Sequence, residues 1–240
     1  MISKVKNDLF DYPNRYIMQI KDGFKFSLDS LLLAEFTKLR QSDKLILDMC
    51  TGNAPVPLVL SLKTDAKIIG FELQRAIAEL AWESISINGL DKQIKVINDD
   101  VKNIGEFFKP NTFDVITCNP PYFKINDDKN KNKNDYLTLA RHEIAIDLET
   151  IFKLVNRFLK DNGIFYMVHR AERLDEIIIL ANKYKLNVKE IQFISTKKNN
   201  NPSTILVKCV KNSKIGVKIK REICVDNLST YQHLFEGSGK

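Results

Sequence analysis

The chain has 240 residues, 44% of them hydrophobic and 28% charged, with a formal net charge of +7. This is the balance of a globular protein able to bury a full core, read as one domain over residues 1–240. No apolar run approaches the ~18–20 residues of a membrane span. The four cysteines (Cys50, Cys118, Cys209, Cys224) hold no Cys-x-x-Cys pair, which speaks against a metal site or disulfide framework and for a reducing cytoplasm.

In chain order, residues 1–27 form an N-terminal extension with few periodic signals. Tyr12-Pro13-Asn14-Arg15 reads as a turn and Tyr16–Ile20 as a short strand. A helix is predicted from Leu28 to Leu39, with Ser27 at its N-cap and Ser30 at the position where a capping box places Glu. Asp29, on its first turn, serves either the helix dipole or a ligand amine.

Lys44–Asp48 is the first core strand. It runs into Met49-Cys50-Thr51-Gly52-Asn53-Ala54-Pro55 and a helix from Val56 to Leu62. Such a strand–glycine turn–helix unit lets a ligand approach the backbone closely near a helix N-terminus. The next strand, Ala66–Glu72, ends in a carboxylate placed to accept from the two hydroxyls of a ribose. A helix follows from Gln74 to Asn88. A third strand, Ile94–Asn98, ends at Asp99-Asp100, where a carboxylate can accept from an adenine amino group. Asp48, Gly52, Glu72 and Asp100 thus fall just past the ends of successive strands, which outlines a nucleoside site in a βαβ rhythm.

The fourth strand, Phe113–Cys118, must stop at Asn119-Pro120-Pro121-Tyr122, because proline has no N–H for the ladder. This stiff loop suits the presentation of a planar exocyclic amino group to an electrophile. The Asn119 side-chain carbonyl and the Pro120 backbone carbonyl are two acceptors for its two hydrogens. Tyr122 offers a face on which a base stacks. Residues 126–135 are low-complexity and read as a lid or a solvated insertion. Arg141-His142 precede a helix from Leu148 to Leu159 and are candidates for a substrate phosphate. Asp161-Asn162-Gly163 reads as a turn, Ile164–His169 as a fifth strand and Ala171–Tyr184 as a helix. Two last strands, Val188–Ser195 and Thr204–Val210, flank a polar loop containing Lys197 and Lys198, suited to an RNA backbone. Val217–Ile223 alternates and reads as an edge strand.

Charge is unevenly placed. Lys183 to Arg221 holds eleven Lys or Arg against one acid, Glu190; that is +10 there and, against a total of +7, −3 on the rest. A basic module on a mildly acidic body suggests a polyanionic partner.

Five stretches carry a resemblance: Phe26-Ser27-Leu28-Asp29-Ser30-Leu31-Leu32-Leu33-Ala34, Asp48-Met49-Cys50-Thr51-Gly52-Asn53, Thr117-Cys118-Asn119-Pro120-Pro121-Tyr122-Phe123, Ala140-Arg141-His142-Glu143 and Thr204-Ile205-Leu206-Val207. The chain resembles the class I S-adenosylmethionine-dependent methyltransferases of the Asn-Pro-Pro-Tyr group. More narrowly it resembles the bacterial valine-tRNA adenine-N6 methyltransferases, which modify the adenosine 3′ of the anticodon. The resemblance implies a Rossmann-like α/β fold: a seven-stranded, mostly parallel sheet with helices on both faces and an antiparallel last strand. Residues 28–184 would be the cofactor-binding and catalytic core, and 185–240 basic C-terminal strands and tail.

The implied cofactor is S-adenosyl-L-methionine, with Phe26, Asp29, Asp48, Thr51, Gly52, Asn53, Glu72, Asp99, Asp100 and Asn119 around it. The implied partner is tRNA, with no metal and no membrane. Where the family usually has a second glycine after Gly52-Asn53, this chain has Ala54. The same tetrapeptide also suits adenine in DNA or guanine N2 in ribosomal RNA. A non-catalytic RNA-binding protein on a degenerate version of the fold is the reading from a different class.

Overall fold

A computed structural model describes residues 3–21, 27–121, 146–197 and 201–225 of the protein. Strands β3 (Leu45–Asp48), β4 (Lys67–Phe71), β5 (Ile94–Ile97) and β6 (Phe113–Cys118) are short apolar runs, as buried parallel strands must be. Between them lie α2 (Pro55–Leu60), α3 (Arg75–Ile87) and a 3₁₀ turn, Val101–Glu106. After β6 come α4 (Leu148–Phe158), β7 (Leu159–Arg170), α5 (Leu174–Lys183), β8 (Leu186–Ser195) and β9 (Thr204–Lys211).

The seven long strands pair in the order β5-β4-β3-β6-β7-β9-β8. All are parallel except β9, which runs against both β7 and β8. Two-residue strands β10 (Lys218–Ile219) and β11 (Ile223–Cys224) lie beside β8, where the sequence predicts an edge strand. The chain winds outward from β3 to β5 and returns to β6 on the other side of β3. That reversal makes the carboxyl ends of β3 and β6 the switch point, where ligands bind in such sheets.

Alternate residues of the central strands feed two cores. Ile46 and Val115 pack with Leu31, Leu32, Val59 and Ala78 of α1 (Leu28–Phe36), α2 and α3. Leu47 and Ile116 pack with Ile151, Phe152, Val155 and Ile177 of α4 and α5. Helices therefore cover both faces. In α4 the buried positions 151, 152, 155 and 158 form one stripe, and Asp147 caps it by accepting from the Thr150 N–H at 2.8 Å.

Three local readings are corrected. The N-terminal extension carries an antiparallel hairpin of β1 (Lys4–Asp8) and β2 (Tyr16–Ile20), tied to α3 by Met18 N–H to Ser84 Oγ at 2.9 Å and Tyr16 N–H to Asn88 Oδ1 at 3.0 Å. Helix α1 ends at Phe36, three residues early, because the backbone turns extended at Thr37 (φ −71°, ψ 114°), whose hydroxyl and N–H both close on the Leu33 carbonyl, at 2.8 and 3.0 Å. Ser27 stands at its N-cap but makes no side-chain capping bond. Finally, Asp161-Asn162-Gly163 does not separate two elements. It is an excursion inside β7, across which the register with β6 jumps from Phe113↔Leu159 to Val115↔Ile164.

Candidate active site

Asp48 ends β3 and lies directly opposite Thr117, one residue from the end of β6. The Thr117 hydroxyl donates to Asp48 Oδ1 at 2.7 Å, and the Met49 N–H donates to the Thr117 carbonyl at 2.9 Å. Asp48 is 1% exposed, and its second oxygen, Oδ2, is buried with no hydrogen-bond partner. Burial pushes its carboxyl up to about 6, against the pull of the Thr117 hydroxyl and of the Thr51 hydroxyl, which lies outside hydrogen-bond geometry.

The turn after β3 is held from behind. Thr51 N–H donates to the Phe71 carbonyl at 2.9 Å, and Gly52 N–H to Glu72 Oε2 at 3.0 Å. Gly52 has φ +57° and Ala54 φ +72° with ψ 33°. The position where a second glycine is usual is thus left-handed, and Ala54 holds it at a cost of roughly 1–2 kcal/mol. Its methyl is fully buried among the α1 and α2 side chains, so it packs into the core. Gly70, next to Asp48 on β4, has a steric duty: a β-carbon there would stand 2.8 Å from the Thr51 side chain. Asn53 Nδ2 donates to the Met18 carbonyl of β2 at 2.8 Å, while its Oδ1 is buried without a partner.

Glu72 follows β4. Its two oxygens accept from the backbone N–H groups of Gly52 and Gln74, at 3.0 and 2.9 Å. Burial raises its pKa, the two N–H donors lower it, and Asp48 adds repulsion. Each carboxylate oxygen keeps a lone pair for a hydroxyl. Past β5, Asp99 Oδ1 accepts from the Asp100 N–H and Asn103 Nδ2, and Asp100 accepts from the Lys102 N–H at 2.9 Å and pairs with its ammonium at 3.0 Å. Both carboxylates are half-buried at the mouth of the site.

On the other side of the switch point, Asn119 leaves β6 half-buried, Pro120 is buried and Pro121 half-buried. Asn119 Nδ2 donates to Ser30 Oγ of α1 at 2.9 Å. Asp29 stands beside Ser30 on the same first turn. Lys197 is exposed just past the carboxyl end of β8, at the same end of the sheet. Phe26, Tyr122, Arg141, His142, Lys198 and the stretch 126–135 lie outside the described residues.

Thr117, Ser30, Gly70 and Met18 escape sequence reading. One signal was available for Ser30: Leu31-Leu32-Leu33-Ala34 leaves α1 no polar face, so a serine inside it must find a partner. The cleft of about 320 Å³ lined by Asn111, Asn156, Lys183, Tyr184 and Lys211 is at the opposite, amino end of the strands. There Lys211 Nζ is spent on Asn111 Oδ1 and the Asn156 and Leu159 carbonyls, at 2.7 to 2.8 Å, closing the end of α4.

Open parallel sheet, reversed last long strand, glycine turn at the switch point and acids past successive strands define a class I methyltransferase fold. A family model described as a methyltransferase domain matches residues 40–223, and the chain belongs to that family. The chain is 27% identical to a protein of Bacteroides thetaiotaomicron over 88% of this chain and 87% of that one, and 25% identical to one of Phocaeicola vulgatus over 84% and 83%. Both bear the name tRNA1(Val) (adenine(37)-N6)-methyltransferase. Among solved structures, a predicted O-methyltransferase of Agrobacterium tumefaciens superposes with a TM-score of 0.66 at 16% identity, over 85% of this chain and 90% of that one, and so shares the fold.

The donors and acceptors fit S-adenosyl-L-methionine. Asp48 Oδ2, Thr51 Oγ1 and Asn53 Oδ1 are buried polar atoms without partners, gathered where β3 meets its turn. Orphans of this kind are expensive unless a ligand answers them. Among the described residues no cluster of His, Cys, Asp and Glu forms a metal site, and no helix is long and apolar enough to cross a membrane.

Proposed function

We propose that this protein methylates N6 of the adenosine 3′ of the anticodon in valine tRNA, using S-adenosyl-L-methionine. The observation that carries the proposal is the pair of neighbouring strand ends at the switch point. Asn119 of the Asn-Pro-Pro-Tyr loop, held by Ser30 at 2.9 Å, comes two residues after Thr117, whose register partner on β3 is Asp48 with its orphaned oxygen. The names of the relatives supply the nucleic acid and the position, and Lys197, exposed at the site's end of the sheet, suits a polyanion.

Bound S-adenosyl-L-methionine supplies an electrophilic methyl group on a sulfonium. In this reading Asp48 and Asn53 take the ammonium of its methionine part, Glu72 the ribose hydroxyls and Asp100 the adenine amino group. Asn119 Oδ1 and the Pro120 carbonyl accept the two hydrogens of the target amino group and draw it toward tetrahedral geometry, so that its lone pair localises. The nitrogen becomes acidic once alkylated, so no strong base is required. Tyr122 stacks the target base. The prolines fix the loop before substrate arrives, so the alignment is built into the fold. A loop nucleotide gives up less stacking on entering the pocket than a paired one. Lys197 and Lys198, with Arg141 and His142, are assigned to phosphates.

The test is incubation with unmodified valine tRNA and methyl-labelled cofactor, followed by nucleoside analysis. N6-methyladenosine is expected, with no label on a transcript carrying guanosine at the target position. Label on guanosine, or on DNA in preference to tRNA, refutes the assignment.

A further inference from the structure

We infer that Ser30 is a positioning residue for methyl transfer: its hydroxyl sets which end of the Asn119 amide faces the substrate. The inference rests on the reading just given and deepens it. Ser30 is 6% exposed on a helix whose next three residues, Leu31, Leu32 and Leu33, are fully buried. A polar side chain in such a place needs a partner, and its partner is Asn119 Nδ2 at 2.9 Å. The two residues are 89 positions apart, and this bond joins α1 to the loop after β6.

The chemistry makes the bond consequential. A primary amide has two ends of nearly equal shape and opposite character, a carbonyl acceptor and an NH₂ donor. Only the carbonyl end helps a substrate amino group; the other end meets it donor to donor. A hydroxyl can donate or accept, and Ser30, on the first turn of α1, uses Oγ here as the acceptor for Asn119 Nδ2. Ser30 therefore engages the nitrogen of Asn119 and fixes Oδ1 as the end that serves the reaction.

The experiment compares wild type, Ser30→Ala, Ser30→Thr and Asn119→Ala in steady-state kinetics on tRNA, with cofactor Kd by equilibrium dialysis and Tm alongside. Ser30→Ala is expected to lower kcat roughly 10- to 100-fold, the scale of a lost alignment. Its KM for tRNA and its cofactor Kd should stay within about 2-fold, and Ser30→Thr, which keeps the hydroxyl, should recover most of kcat. Unchanged kcat in Ser30→Ala overturns the inference. So does a loss of kcat matched by equal losses in cofactor affinity and Tm, or one that Ser30→Thr fails to restore, since either makes Ser30 a packing residue. Should Asn119→Ala remain active, the function proposed above fails first; should it be dead while Ser30→Ala is normal, only the role of Ser30 fails.

Discussion

Asp48→Asn gives a pH-dependent crossover in stability. In the folded protein the Asp48 carboxyl titrates at about 6, against an ordinary value of 3.8, because burial penalises the charge more than its hydroxyl neighbours stabilise it. A raised carboxylate pKa means that the folded state holds the proton more tightly than the unfolded chain. Its contribution is present below pH 3.8 and is lost as pH rises through about 6. The loss is about 3 kcal/mol at 1.36 kcal/mol per pH unit. The asparagine of the variant cannot titrate, so the difference in unfolding free energy between the two proteins should swing by about 2.4 kcal/mol between pH 4 and pH 8, in favour of the variant at high pH. An amide nitrogen at the orphaned Oδ2 position costs about 1–3 kcal/mol at every pH, which shifts the crossover without changing the swing. Urea denaturation at pH 4, 6 and 8 measures it. In the same variant cofactor Kd should rise at least 10-fold at pH 8. Parallel pH profiles for the two proteins would refute the account of Asp48 as a strained, ligand-awaiting carboxylate.

Asn119→Ala should abolish turnover on tRNA while cofactor Kd, read by equilibrium dialysis, moves less than about 3-fold, the scale of one neutral hydrogen bond. Gly70→Ala should cost about 1–3 kcal/mol by thermal or urea unfolding and weaken cofactor binding, since the new methyl displaces Thr51 from 2.8 Å away. Lys197→Glu should raise KM for tRNA and lower the slope of log affinity against log salt by roughly one to two ions, with cofactor Kd unchanged.

The strands that build the site are legible because each is a short apolar run that ends at an acid or a proline. Asp48 closes β3, Asp99-Asp100 follow β5 and two prolines follow β6. The acids just past those ends were legible for the same reason. β1 was not: Lys-Val-Lys-Asn-Asp is mostly exposed and is ordered by its pairing with β2, a partner its own sequence does not announce. The end of α1 falls at Phe36 because the backbone turns extended at Thr37, a change that the apolar spacing of the helix does not announce. Thr117 and Ser30 act through partners 69 and 89 residues away, a separation at which periodicity carries no information. Ala54 was visible as a departure; its left-handed backbone, and hence its cost, shows only in the folded chain.

The hydrogen bond from Asn53 to Met18 gives the first twenty residues leverage over a bend thirty-five positions downstream. A protease cut between Asp8 and Tyr16, or a bulky fusion that pries the hairpin from Ser84 and Asn88, would be felt at the bend as slackness. Such damage would masquerade as weak cofactor affinity in a protein whose Asn-Pro-Pro loop is untouched. Purified material judged inactive should therefore be weighed for an intact amino terminus before its chemistry is doubted.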